Sequence, residues 1–473
     1  MKNNEKEFWF VVGTQHLYGT QVINQVKKHA EEMINELNKT AHLPFPIKFI
    51  GTAETADNIT KLMKEVNYRD NVLGVVTWMH TFSPAKMWIT GTKLLQKPLL
   101  HFATQYNESI PWKTIDMDFM NLNQAAHGDR EYGYINARLK KDNKVLVGYW
   151  KDPKIHKQIA QWMDVAYAYN EGTNIRIARF GDNMRDVGVT EGDKIEAQIK
   201  FGWVVDYFGI NDLIQEVEKI TPQEVDNLFQ KYSTLYHFEY GNYSKTKWEQ
   251  HVKYQARLEI ALRKFLQQGN YNAFTTNFQD LGTLEQLPGL AVQRLMADGY
   301  GFAGEGDWKT AAIDRLLKIM SHNKFTGFME DYTYEMSKGN EYSLQAHMLE
   351  VDPTWASNKP KIIVSPLGIG GKGDPARLIF DGKSGPAVVV SMADFGNKFK
   401  LLINEVEAFE PNEPAPKLPV ARVLWKIKPN FADGIRQWIE NGGGHHTVAT
   451  GALTSEQIID WAKMVHLDFV LIK

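Results

Sequence analysis

The 473-residue sequence contains no cysteine, which removes disulfides, thiolate metal sites and cysteine nucleophiles together. That composition fits a reducing, cytoplasmic setting. No apolar run is long enough to span a bilayer, and the opening, MKNNEKEFWFVVG, offers too short an apolar stretch for a secretory signal. A dominant charge is missing too. Lys and Arg number 54 against 56 Asp and Glu, a formal net charge of −2, so neither nucleic acid nor an anionic membrane is an expected partner. Internal repeats, low-complexity tracts, a P-loop, G-x-S-x-G and H-E-x-x-H are absent as well. One G-x-G-x-x-G string exists, GIGGKG at 368–373, but Asp374-Pro375 and an extended run follow it where a dinucleotide loop needs a long helix. It reads as a plain β-connection, and no nucleotide cofactor is expected.

What is present divides into three textures, in keeping with a prior of about 150 residues per domain. Residues 1–175 alternate short apolar runs (7–12, 47–50, 72–78, 98–104) with helical spacing, first at Val22, Ile23, Val26, Ala30, Met33, Ile34 and Leu37, then at Ile59, Leu62, Met63 and Val66, then from residue 83. Residues 176–326 repeat the mixture, with a strand near 175–180 and helices over 248–267, 290–296 and 308–320. From 327 to 473 alternating runs at 362–365, 376–380, 387–392, 398–409 and 420–427 dominate, with one good helix at 455–465. The fold class is α/β: N-terminal and central domains with open, parallel, Rossmann-like sheets, then a β-rich, barrel-like C-terminal domain. In parallel sheets ligands sit beyond the carboxyl ends of the strands, which makes the loops holding Gln15, His16, His80 and Gln105 the working edge.

Several residues stand out chemically. GEGDWKTAA sets Asp307 as a helix N-cap and leaves Glu305 between two glycines, near the positive end of the helix dipole. FMEDYTYEM places Glu330 and Asp331 among aromatics, and QAHMLEV places His347 in an apolar frame, where each polar group needs a partner. In GGGHHTVAT, if the segment is extended, His445 and His446 leave on opposite faces and one metal takes only one of them. On the residues alone, a metal site and an ordinary loop both remain open there.

Taken together, WFVVGTQHLYG, HGDREYGYI, RFGDNMRDVGVTEGDKI, FAGEGDWKTAAI, FMEDYTYEM, AHMLEVDP, GIGGKGDPARLIFDG and GGGHHTVAT resemble L-arabinose isomerase, in unbroken order from Gly13 to Thr447. The resemblance implies an enzyme that converts L-arabinose to L-ribulose and also D-galactose to D-tagatose. It implies that Glu305, Glu330, His347 and His446 bind one divalent metal, usually Mn²⁺ with Co²⁺ as substitute, and that His445 supports the loop. Two carboxylates and two imidazoles suit such an ion. Glu305 and Glu330 would then exchange protons about a cis-enediol, with a metal-assisted hydride shift as the competing route. Gln15, Leu17, His127, Met184 and Phe278 match residues that line the family's sugar pocket, although Met184 and Phe278 read equally well as core and His127 as a loop histidine. The resemblance further implies trimers paired into a hexamer, with Gln15 and His127 acting across an interface. An L-fucose isomerase of the same fold and a non-catalytic sugar-binding protein are the alternatives.

Overall fold

The structure is a computed structural model that describes residues 6–396 and 398–473. The chain divides into two compact units, one ending at Asn170 and one running from Glu171 to Lys473. Among the described residues no helix is long and apolar enough to cross a membrane.

In the first unit five parallel strands lie in the order Ile47–Ala53, Glu7–Gly13, Val72–Met79, Leu99–Ala103, Lys144–Val147. The inner strands read EFWFVVG and VLGVVTWM, near-continuous apolar runs, because a parallel sheet buries both faces. Helix Gly19–Thr40 buries Val26, Ala30, Met33, Ile34 and Leu37. The next, Ala56–Tyr68, starts where the Thr55 side chain accepts from Asn58 N, and it buries Ile59, Met63 and Val66. The helix expected from residue 83 starts later. Pro84 keeps extended backbone there, a 3-10 turn follows at Ala85–Trp88, and the α-helix is only Ile89–Leu94.

The second unit opens with four parallel strands in the order Gly301–Ala303, Ala273–Thr275, Arg176–Phe180, Val204–Phe208. Helix Lys245–Gln268, capped by Ser244, belongs to this layer. So does helix Trp308–Met320, which is buried on nearly every side, its charged Lys309, Asp314 and Lys318 included. Beyond it an antiparallel sheet closes on itself: Gly385–Asp394, His446–Thr450, Thr326–Glu335, Tyr342–Ala346, Val423–Ile427, Phe399–Phe409, then back to Gly385–Asp394. The long strand Phe399–Phe409 serves two partners along one edge, Val423–Ile427 and, in parallel, Asp468–Ile472.

Two details depart from expectation. Strands Lys361–Val364 and Ala376–Ile379 are not barrel staves: they pair with each other, and Lys361–Val364 also with His237–Phe238, in a separate small sheet, and GIGGKG lies in the loop between them. A second C-terminal helix, Phe431–Glu440, accompanies Ser455–Met464. Gly434 hides it in the sequence, yet a Cβ there would come 2.7 Å from the Lys428 carbonyl, so the close approach requires glycine.

Met329, Val389, Leu402, Val406, Val423, Trp425 and Ala449 pack in one hydrophobic cluster of the barrel. Side chains alternate along a strand, so Phe328 and Glu330, and with them His446 and Val448, take the opposite face. Helix Trp308–Met320 packs against these same strands.

Candidate functional site

The strand Gly301–Ala303 ends in GEGD before the helix begins at Trp308. Glu305 holds a left-handed φ of 62° without being glycine, a conformation that surrounding structure must enforce. Its carbonyl accepts from Met184 N at 2.9 Å. Gly304 is required by crowding, since a Cβ there would lie 2.8 Å from His347 Cε1. Asp307 caps the helix: its side chain accepts from Thr310 N at 3.2 Å and Thr310 Oγ1 at 2.7 Å.

Four side chains converge on this corner. In the antiparallel register Glu330 sits opposite both His446 and Ala346, the residue before His347. His446 Nε2 lies 3.8 Å from Glu305 Oε2, and His347 Nε2 lies 4.0 Å from Glu330 Oε2. The two imidazoles are 5.8 Å apart, and Phe328 stands edge-on to both. Each ring has a buried carboxylate on its other nitrogen: Asp307 Oδ2 is 3.1 Å from His446 Nδ1, and Glu350 Oε2 is 2.5 Å from His347 Nδ1. An ionised carboxylate only accepts, so both rings donate from Nδ1, and a neutral ring then presents its lone pair at Nε2. His446 Nε2 is buried and, among the described residues, has no hydrogen-bond partner. A lone pair facing the Glu305 carboxylate, on a ring aimed from behind by a second carboxylate, is a donor arrangement that a borderline divalent cation takes.

The paired histidines do not follow the opposite-face expectation. Extended backbone starts only at His446; His445 lies in a bend before it, and its Nε2 reaches within 3.7 Å of the same Glu305 oxygen. Coordinating atoms of Glu305, His445 and His446 all lie within 4.8 Å of one another. His445 is 34% exposed and His446 is 1% exposed, so the two rings meet that carboxylate from different surroundings.

Electrostatics divide the acids. Burial would raise the Glu305 carboxyl, but the nearby His445, His446 and His347 rings hold it below its ordinary value. Asp307 is driven lower still, burial being outweighed by the Lys309 ammonium and His446. Burial disfavours charge on His347, yet Glu350 raises it. Burial pushes Asp331 up despite its bonds from Gln345 and Ser343.

Among the remaining sequence candidates, Phe278 stacks on His347 at 5.9 Å, and Met184 is tied to Glu305 through its backbone. In the first unit, Gln15 Nε2 donates to the Phe82 carbonyl at 3.0 Å, His127 stacks on the Phe82 ring at 4.2 Å, and Leu17 is 83% exposed. His16 pairs with Glu54, Gln105 donates to Asn123, and His80 is buried against His29. Sequence reasoning missed the orienting carboxylates. Glu350, three residues after His347, left a local H-x-x-E signal. Asp307 was legible only as a cap.

Comparison with known proteins gives the same family along nearly the whole chain. Family models described as the L-arabinose isomerase N-terminal, central and C-terminal domains match residues 2–174, 176–323 and 325–468. An L-arabinose isomerase 2 of Bacillus licheniformis is 69% identical over 473 residues, covering 100% of both chains. An L-arabinose isomerase of Oceanobacillus iheyensis is 67% identical, covering 99% of each. That of Geobacillus stearothermophilus is 53% identical, covering 98% of this chain and 94% of its own.

Proposed function

Because the chain belongs to the L-arabinose isomerase family, we propose that it is an aldose–ketose isomerase that converts L-arabinose to L-ribulose, with Glu305, Glu330, His347 and His446 holding one divalent cation, Mn²⁺ or Co²⁺. The observation that carries the cation is the buried, partnerless His446 Nε2 facing Glu305, its ring oriented by Asp307. Held there, the cation supplies Lewis acidity, drawing electron density from the sugar's carbonyl and neighbouring hydroxyl so that the C2 proton is easier to remove.

The chain's own residues move the protons. Glu305 and Glu330 flank the space before the two Nε2 atoms, so the C2–H proton passes to one carboxylate and returns to C1, while the proton on O2 passes to O1. The intermediate is a cis-enediol, and no atom is gained or lost overall. Each glutamate keeps one oxygen for this work only if it holds the cation through the other. Phe278, stacked on His347, and Met184, beside Glu305, line the sugar. D-Galactose, with the same configuration from C2 to C4 and an added terminal CH₂OH, is a second substrate, giving D-tagatose.

Domains at 1–175, 176–326 and 327–473, a cytoplasmic location and a hexamer built from two trimers complete the proposal. The three family matches support the division. For the assembly, exposed Leu17, with Gln15 and His127 gathered at Phe82, offers a surface that a neighbouring copy's site can use. The test is L-ribulose formation by chelator-stripped protein with and without Mn²⁺. Activity restored by the ion is the expected result; no product with any divalent ion, from folded protein, sinks it.

A further inference from the structure

Lys309 is only 1% exposed and spends all three ammonium donors inside the protein. They go to the Glu191 carbonyl at 2.6 Å, the Val189 carbonyl at 3.0 Å and Asp307 Oδ1 at 3.3 Å. The other Asp307 oxygen is the one facing His446 Nδ1. One buried cation therefore joins the backbone of the loop over 182–193 to the carboxylate that aims the His446 ring.

Other contacts converge on the same loop. Asn183 Nδ2 donates to the Thr190 carbonyl at 2.6 Å and reaches the Gly306 carbonyl at 3.3 Å. Gly192 lies so close to the lysine that a Cβ would come 2.8 Å from Lys309 Cδ. Gly444, just before the paired histidines, lies so close to Val189 that a Cβ would come 2.8 Å from Val189 Cγ2. The loop thus touches both sides of the corner: Met184 and Asn183 on the Glu305–Asp307 turn, Val189 on the segment leading to His446.

We propose that Lys309 is a positioning residue: it clamps the 182–193 loop against the Glu305–Asp307 turn and, through Asp307, fixes the His446 ring for the cation. The inference rests on the isomerase reading above. Lys309 touches no reacting atom. Two of its three bonds go to loop carbonyls, which an ion pair for Asp307 alone would not need.

The test compares full-length wild type, Lys309→Met and Lys309→Arg after chelator stripping, by Mn²⁺ calorimetry, amide exchange over 187–193 and steady-state kinetics with L-arabinose. Lys309→Met should bind Mn²⁺ about tenfold or more weakly, in the range for losing an orienting partner behind a metal ligand. Its loop amides should exchange faster, and kcat should fall while the protein stays folded. Lys309→Arg should recover part of each. A folded Lys309→Met with wild-type Mn²⁺ affinity and loop exchange overturns the proposal. Should that variant not fold, Asn183→Ala, which cuts the loop's second tie, goes through the same measurements, and unchanged Mn²⁺ affinity there overturns it equally. Wild type that neither binds Mn²⁺ nor makes L-ribulose would instead fail the isomerase reading itself.

Discussion

At His446 the position of one hydrogen decides what the ring can do. In the neutral ring Asp307 keeps it on Nδ1 and leaves Nε2 as a lone pair, and Glu350 does the same for neutral His347. Asp307→Asn should therefore weaken divalent-cation binding about 10–100-fold. Asn keeps the helix cap but leaves the buried Lys309 ammonium without its carboxylate, so the unfolding temperature should fall as well. His446→Ala should abolish cation binding, whereas His445→Ala should keep most of it and lose less activity; the reverse order in calorimetry would make His445 the ligand. Turnover in deuterated water should place solvent deuterium at C1 of L-ribulose, because a proton held on a carboxylate exchanges; product without it would favour a hydride shift. The sequence shows each of these side chains but not their meeting. Asp307 and His446 are 139 positions apart, and spacing carries no information over that distance, so resemblance alone supplied the ligand set. Local signals did better: H-x-x-E marks Glu350, and the helix cap marks Asp307.

The helix Trp308–Met320 carries the corner at one end and a buried charge cluster further along. Lys318 Nζ contacts both Asp352 and Asp314, all three fully buried, and Asp314 accepts from Phe302 N at 2.9 Å. One ammonium facing two carboxylates leaves an excess negative charge. Burial, with Asp352 opposing Lys318's pull, pushes Asp314 up to about 7 from its ordinary 3.8. The folded state thus binds a proton that the unfolded chain releases near pH 4, so this contribution is complete below that value and is lost as pH rises toward 7. Asp314→Asn should flatten the fall in unfolding temperature between pH 5 and pH 8, read by calorimetry; an unchanged slope would mean that Asp314 is ionised throughout. Helix 308–320 is legible in the sequence because its apolar residues recur at helical spacing behind the Asp307 cap. The capping box at Thr221 and Glu224 announces helix Pro222–Leu235 equally well, yet its sparse apolar face draws less notice. Strands Lys361–Val364 and Ala376–Ile379 look like barrel staves because alternation states which face is buried, not which neighbour is paired.

On the scale of the whole chain, a buried histidine of the first unit answers pH in the opposite sense to Asp314 of the second. In the first, His80 is buried, stacked on Trp78 and 2.8 Å from His29, and burial followed by the His29 charge lowers it to about 3. The unfolded chain takes up that proton first, so the contribution is complete above about pH 6.5 and is lost as pH falls toward 3. His80→Phe should reduce the acid-side loss of the first unit's amide protection and leave the second unit's untouched. A cation at 100 times its dissociation constant should add about 2.7 kcal/mol to the second unit, seen as a higher unfolding temperature that His446→Ala does not show. Parallel and antiparallel layers are legible from composition because doubly covered and singly covered strands differ in pattern; the closure of the barrel is not, since it depends on which strand lies beside which. That closure bears on the order of synthesis. Strand His446–Thr450 emerges late, yet it lies between Thr326–Glu335 and Gly385–Asp394, both made before it. A chain halted short of it holds Glu305, Glu330 and His347 but lacks His446, and it leaves two strand edges open to other chains. On the proposed ligand set, cation retention would therefore sort completed molecules from unfinished ones.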